Sequence, residues 1–78
     1  MSGEERQGLE RAKEAAKREL GGLKGVNGIG ITWDESGHAC VRVNLLPSAP
    51  AETRRRIPTI IRGFPVQVRT VAGLRAEL

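Results

Sequence analysis

Hydrophobic residues at the start of the chain repeat at the spacing of a helix. Between residues 4 and 20 the apolar side chains fall three and four positions apart, which places them on one face of an α-helix. The stripe consists of Leu9, Ala12, Ala16 and Leu20, with Leu23 in line beyond it. Ser2 stands where an N-cap is expected, and Gly21 and Gly22 follow as terminators. The pattern predicts an amphipathic helix over residues 4–20 that lies on another layer.

Three later segments alternate between apolar and polar residues, as strands with one buried face do. The first covers residues 25–33 and the second residues 39–45, and the Asp-Glu-Ser-Gly sequence between them is typical of a hairpin turn. The third strand begins at Phe64. The expected inner faces consist of Ile29, Ile31 and Trp33, then Ala39, Val41, Val43 and Leu45, then Phe64, Val66 and Val68.

A short second helix separates the last two predicted strands. Ser48 is placed to cap it and Pro50 to occupy its first turn, and a helix over residues 51–56 ends there because Pro58 follows closely. Residues 58–63 are expected to form a turn or one irregular turn of helix.

The element order α-β-β-α-β predicts the α+β class. Because a helix connects strands two and three, those strands are expected to run parallel. The simplest packing is a three-stranded sheet with both helices on one face. The 78 residues fit one domain, predicted over residues 1–78 with an ordered core of about residues 5–72 and a frayed tail over 73–78.

The glycines between residues 22 and 30 have the composition of a phosphate-binding loop but the wrong context. They follow a predicted helix and open a strand, whereas a dinucleotide fingerprint follows a strand and opens a helix. A structural role is favoured: Gly28 and Gly30 flatten one sheet face, so that a helix or another backbone can approach it. No cofactor is predicted.

Residue types that carry catalysis or bind metals are sparse. His38 and Cys40 are the one histidine and the one cysteine, and they share a face of a predicted strand. A zinc site requires three or four ligands and a Cys-His nucleophile requires an orienting group, so a surface histidine beside an incidental thiol is favoured. We expect no enzyme, no catalytic residue and no metal site.

The excess positive charge lies in the second half of the chain. Residues 1–41 hold six Lys or Arg and seven Asp or Glu, whereas residues 42–78 hold seven Arg and two Glu. Arginine binds carboxylates and phosphates alike, so an anionic partner is indicated without being identified. The candidate residues for binding an anion or a partner are Arg42, Arg54, Arg55, Arg56, Arg62 and Arg69.

These arginines have two main interpretations, and binding to an acidic protein or a membrane surface is a third, less favoured one. Arg42 and Arg69 are expected on the polar sheet face and can form a mildly basic platform for nucleic acid. Nucleic-acid-binding sheets, however, stack bases on aromatic residues, and this face has none. The other interpretation is a solvated surface that keeps the chain soluble.

The edges of the sheet offer another means of binding. Edge strands carry unpaired backbone groups, and apart from Pro65 the sequence contains no obvious block to strand addition. Pairing with a second copy, or with a strand of another protein, enlarges a small aliphatic core. We expect an unknown protein partner or a homo-oligomer, with nucleic acid as the alternative.

The sequence indicates a cytoplasmic location without a membrane partner. Residues 1–10 are polar and lack the apolar core of a signal peptide, and no apolar run approaches the roughly 20 residues that span a bilayer. A single cysteine fits a reducing compartment.

The glycine and proline pattern resembles a small bacterial α+β module that also occurs ahead of trypsin-like serine protease domains. The matching features are the helix that ends at Leu23, residues 25–31, the strand Val41-Arg42-Val43 and, above all, residues 57–68 (IPTIIRGFPVQV). The resemblance covers residues 9–73. It implies an accessory or interaction domain without the protease's His, Asp and Ser machinery, and it carries over no catalytic residue.

The sequence therefore predicts a non-enzymatic interaction or accessory domain that binds protein or associates with itself. The alternative is a nucleic-acid-binding protein that uses the arginine-rich surface. Three arginines before the matched segment (Arg54, Arg55 and Arg56) and one at a position within it (Arg62) are extra to the bacterial module's pattern, which is consistent with a different partner.

Overall fold

The computed structural model describes residues 2–71, which form an α+β fold with two helices and four strands. In chain order the elements are α1 (Gly3–Leu20), β1 (Val26–Trp33), β2 (Ala39–Leu45), α2 (Ala51–Arg56), β3 (Ile60–Ile61) and β4 (Phe64–Thr70). The predicted α+β class is confirmed. The frayed tail predicted over residues 73–78 lies outside the described residues.

Helix α1 forms where its capping and apolar residues predict it. The Ser2 hydroxyl accepts a hydrogen bond from the Glu5 backbone N–H at 3.1 Å, as an N-cap does. Acidic residues in the first turn and basic residues in the last complement the helix dipole. The predicted stripe is buried, with exposures of 3% or less for Leu9, Ala12, Ala16 and Leu20, joined by Ala15.

The sheet is mixed, in the order β1-β2-β4-β3. β1 and β2 form the predicted antiparallel hairpin, and β2 and β4 run parallel, as expected for strands joined through a helix. β2 lies between two long neighbours. Its inward residues Val41, Val43 and Leu45 are fully buried.

The two faces of the sheet differ in what covers them. The helix face carries Ile29, Ile31, Val41, Val43, Val66 and Val68. Helix α1 covers this face over β1 and β2, whereas Val68 on β4 is 46% exposed. The polar face is the opposite one and carries Gly28, Gly30, Thr32, Cys40, Arg42, Asn44, Gln67 and Arg69. Within residues 2–71 the main hydrophobic core lies on the helix face, and it includes residues of α1 but none of the polar-face residues.

The sequence predicts a three-stranded sheet, whereas the structure has a fourth strand, β3. Ile60 and Ile61 pair antiparallel with β4, in a segment predicted as a turn or irregular helix. Arg62 and Gly63 connect the two strands with positive φ angles of 48° and 85°, which is the backbone of a two-residue hairpin turn. A two-residue strand is too short to show alternation, and arginine is not a usual signal for positive φ, so the prediction is wrong here.

Helix α2 has the predicted bounds but a different start. Pro50 is the N-cap residue and no side chain caps the helix, so the prediction of Ser48 as the cap is wrong. The helix is anchored by Thr53, which is 3% exposed and donates from Oγ1 to the Lys24 carbonyl at 2.7 Å. Ile57, directly after the helix, enters the core beside α1.

Candidate interaction surfaces

Strand β1 forms one edge of the sheet, and its outer side carries unpaired backbone groups. At the hairpin end the Asp34 N–H donates to the His38 carbonyl at 2.9 Å, which sets the alternation of the β1–β2 ladder. Because every second residue of a strand directs its backbone groups to the same side, Thr32 and Gly30 also direct N–H and C=O toward β2. The residues whose N–H and C=O face outward are Ile29, Ile31 and Trp33. Within residues 2–71 no strand pairs with this outer side.

The β1 edge lacks the usual protection against pairing. Between Val26 and Trp33 it contains no charged residue and no proline, and these are common blocks to strand addition. A bulge interrupts the register between Val26 and Gly28, so the regular part of the edge begins at Gly28. Pro65, the block expected from the sequence, lies in β4 on the other side of β2.

An apolar depression opens at the outer end of β1. It has a volume of about 300 Å³ and is lined by Ile31 and Trp33 from β1 and by Arg6, Leu9 and Glu10 from α1. Trp33 is 55% exposed, whereas Ile31 on the same face is half-buried. The sequence predicts the face of Trp33 but not its exposure, because α1 does not cover the end of the strand.

Asp34 holds the hairpin turn that follows β1. Its Oδ1 accepts hydrogen bonds from the backbone N–H groups of Ser36 and His38, each at 2.9 Å, and its Oδ2 lies 3.5 Å from His38 Nδ1. The hydrogen bond from the His38 backbone is the largest cause that lowers the pKa of Asp34. The Ser36 N–H and the His38 side chain act in the same direction, and desolvation opposes them. The turn is therefore best held when Asp34 is ionised.

On the polar face, side chains of β2 lie over the glycines of β1. A Cβ placed on Gly30 would lie 3.3 Å from Arg42 Nη2, and one placed on Gly28 would lie 3.8 Å from Asn44 Nδ2. The expectation that these glycines make room for a helix or another backbone is wrong, because side chains of β2 lie next to them. Gly30 makes room for the Arg42 side chain, whereas a Cβ at Gly28 would be in ordinary van der Waals contact with Asn44.

The polar face carries a small basic patch with unsatisfied polar atoms. Arg42 Nε and Asn44 Oδ1 are buried without a hydrogen-bond partner. Asn44 lies in register with Arg69 on β4, which is exposed. Among residues 2–71, neither arginine forms an ion pair. Arg42 and Arg69 are thus the two candidate residues that the fold brings to one surface.

The other four candidate arginines lie elsewhere. Glu52 binds two of them, with its carboxylate 3.6 Å from Arg55 and 3.2 Å from Arg56. Arg54 donates to the Thr70 hydroxyl at 3.3 Å. Arg62 lies in the β3–β4 turn, beside a depression of about 320 Å³ that it shares with α1. The predicted set of six is therefore dispersed over several surfaces.

Cys40 and His38 do not form a reactive pair. Cys40 is 1% exposed, and its Sγ lies 3.5 Å from the His38 carbonyl oxygen and 3.7 Å from Gln67 Nε2. The His38 imidazole is exposed and turns toward Asp34. In the part of the chain that the structure describes, no group of three or more His, Cys, Asp or Glu is placed to hold a metal, and nothing points to an enzyme.

Among residues 2–71, no helix is both long enough and apolar enough to cross a membrane.

Sequence reasoning missed the depression beside Trp33. A signal for it exists in retrospect: Trp33 is the last residue before the turn, and the stripe of α1 begins only at Leu9. The first two turns of α1 therefore have little apolar surface with which to cover an indole.

Comparisons with protein-family models, with curated proteins and with solved structures give no significant match to this chain. The resemblance to the bacterial module therefore stays a prediction.

Proposed function

We propose that this protein is a non-enzymatic interaction module that binds a protein strand along the outer edge of β1. The observation that carries the proposal is the uncharged, proline-free edge, along which Ile29, Ile31 and Trp33 direct backbone groups outward. An extended segment placed there continues the sheet by ordinary strand addition.

Backbone pairing alone is not enough for stable binding. Each hydrogen bond contributes about 1 kcal/mol net, so the three outward residues supply several kcal/mol. Association costs about 4–15 kcal/mol in lost translational and rotational freedom. The exposed half of the Trp33 side chain adds about 2–3 kcal/mol when it is covered. A partner strand must therefore place apolar side chains on the helix face, next to Trp33.

A peptide-display selection against the whole protein tests this proposal. Selected peptides are expected to bind the wild type and to lose at least tenfold in affinity to Ile31→Pro, which removes an outward N–H and no bond to β2. The matched control is Arg69→Ala on the polar face, which should bind as the wild type does.

Amide hydrogen exchange supplies a second readout. The N–H groups of Ile29, Ile31 and Trp33 are expected to exchange quickly in the free monomer and slowly with bound peptide. Peptides that bind Ile31→Pro equally well and leave these three amides unprotected would contradict strand addition at β1.

Nucleic-acid binding on the polar face is a second candidate function. It is favoured by Arg42 and Arg69, which share an uncovered face and have no acidic partner among residues 2–71. Guanidinium planes stack on bases as aromatic rings do, so the absence of aromatic residues from this face is not decisive.

Fluorescence anisotropy of labelled DNA and RNA at about 50 and 200 mM salt tests the second candidate, because phosphate contacts weaken steeply over that range. Binding should be lost when Arg42 and Arg69 are both changed to Gln. It should survive the same change at Arg54, Arg55 and Arg56, which lie on α2. Absence of binding at the lower salt concentration counts against this function.

Two further features belong to the proposal. The resemblance to the bacterial module supports an accessory role beside other domains or proteins. The free Cys40 thiol agrees with work in the reducing cytoplasm.

A further inference from the structure

We infer that the strand bound by β1 is the β1 strand of a second copy of this chain, paired antiparallel about a two-fold axis perpendicular to the sheet. This inference rests on the proposed strand addition and names its partner. The result is one continuous sheet through both copies, with the helix faces on the same side.

The alternation of backbone groups along β1 is compatible with self-pairing. In an antiparallel pair, residues that direct N–H and C=O toward each other must lie opposite each other. The outward residues Ile29, Ile31 and Trp33 are spaced by two. A two-fold axis at Ile31 therefore places Ile31 opposite its own copy and Trp33 opposite Ile29 of the second copy, with every pair of outward groups matched.

This register also covers the exposed indole. Trp33 is 55% exposed and borders the depression beside Leu9. With the axis at Ile31, Ile29 of the second copy lies beside Trp33 on the helix face. An axis at Gly30 would instead place Asn27 opposite Trp33, and one at Ile29 would carry the pairing through the bulge after Val26.

The charges that flank the strand favour the antiparallel direction. Lys24 precedes β1, and Asp34 and Glu35 follow it. With the axis at Ile31, Asp34 and Glu35 lie opposite Gly28 and Asn27 of the second copy, four and three positions from Lys24, whereas parallel in-register pairing places each of these charges beside its own copy. The strand itself is uncharged, so these flanking residues provide the direction.

Oxidative cross-linking tests both the partner and the register. Opposite residues of a hydrogen-bonded pair have Cα atoms about 5.5 Å apart, within the range of a disulfide. Ile31→Cys, made with Cys40→Ala, is therefore expected to form a disulfide-linked dimer. Thr32→Cys in the same background is the matched control, because its two Cα atoms lie about 8 Å apart in this register, beyond disulfide reach.

Sedimentation of the unmodified wild type over a range of concentrations needs no variant. We expect the mass to double, with slowed exchange of the Ile29, Ile31 and Trp33 amides in the dimer. A monomer at all concentrations, with no Ile31→Cys cross-link, overturns the inference. A dimer that cross-links through Thr32→Cys and not through Ile31→Cys overturns the register.

Failure of self-pairing and failure of strand addition give different results. If the wild type stays monomeric but displayed peptides bind β1 and protect its amides, self-pairing is wrong and the proposed function stands. If neither a second copy nor a peptide protects those amides, both are wrong.

Discussion

Replacing Gly25 by alanine should unfold this protein far more readily than the same change at another glycine with positive φ. Gly25 has φ +89°, and a Cβ there would lie 2.5 Å from the Ala49 Cβ and 2.6 Å from the Ala49 Cα. Its carbonyl also accepts a hydrogen bond from the Leu46 N–H at 2.8 Å. The start of β1 therefore packs directly on the loop before α2, with no room for a methyl group.

The expected magnitude has two parts. A positive φ costs a residue with a Cβ about 1–2 kcal/mol, and overpacking against backbone atoms costs about 1–3 kcal/mol more. The sum, about 2–5 kcal/mol, is a large part of the roughly 4–12 kcal/mol expected for a chain of this length. Gly37→Ala is the matched control, because Gly37 has φ +86° and nothing within 4 Å of the added Cβ. Gly37→Ala should therefore lose only the stability that the positive φ costs, about 1–2 kcal/mol.

Urea unfolding followed by far-ultraviolet circular dichroism measures both variants. We expect Gly25→Ala to lose about 1–3 kcal/mol more than Gly37→Ala, the overpacking part alone. Ala49→Gly should restore part of that difference and not all of it, since the contact with the Ala49 Cα remains. Equal losses at Gly25 and Gly37 would refute the close approach of β1 to the α2 loop.

Three further predictions concern the anchors of the fold. The folded-state pKa of Asp34 is lowered from 3.8, chiefly by the His38 backbone hydrogen bond, so its stabilisation is complete above pH 3.8 and is lost as the pH falls through the lower folded value. Thermal unfolding between pH 5 and pH 2 should therefore show a smaller fall for Asp34→Asn than for the wild type. Thr53→Val, which removes the hydrogen bond to the Lys24 carbonyl, should lower the free energy of unfolding in urea by about 1–3 kcal/mol. Thr53→Ser should lower it less. Equal losses in the two variants would show that the hydroxyl does not anchor the helix. Leu45→Ala at a fully buried position should cost about 2–5 kcal/mol by the same assay, and a smaller loss would show that the site collapses around the cavity.

The long elements were predictable because each one repeats its signal. The stripe of α1 covers several turns, and the alternation of β1 and β2 persists over 8 and 7 residues. The parallel pairing of β2 and β4 follows from the helix between them. The ends of the six-residue helix α2 were also predictable, because prolines stand on both sides of it.

The missed features depend on how strands pair and not on the pattern within any one strand. β3 consists of Ile60 and Ile61 alone and exists because the turn at Arg62 and Gly63 returns the chain onto it. The position of Arg42 over Gly30 depends on the β1–β2 register, which spans the hairpin. No periodicity within one segment contains this information.

The candidate site likewise has a part that the sequence predicts and a part that depends on the fold. The sequence identifies the arginines by type, but their neighbours decide their use: Glu52 binds Arg55 and Arg56, whereas Arg42 and Arg69 have no acidic partner among residues 2–71. An open edge was expected from strand count alone. The strand order places β1 and the two-residue β3 at the two ends of the sheet, and the uncharged, proline-free sequence of β1 distinguishes its edge.

The edge and the polar face compete as explanations of function, and their physical state favours the edge. The exposed guanidinium group of Arg69 is well hydrated and requires no partner, and on the same face only single atoms of Arg42 and Asn44 are buried without a hydrogen-bond partner among residues 2–71. An exposed indole is different, because every Å² of it that a partner covers is favourable. Trp33 lies on the helix face at the outer end of β1, next to backbone groups that no strand within residues 2–71 pairs with. A strand placed there covers the indole and pairs the backbone in one step, which no ligand of the polar face does.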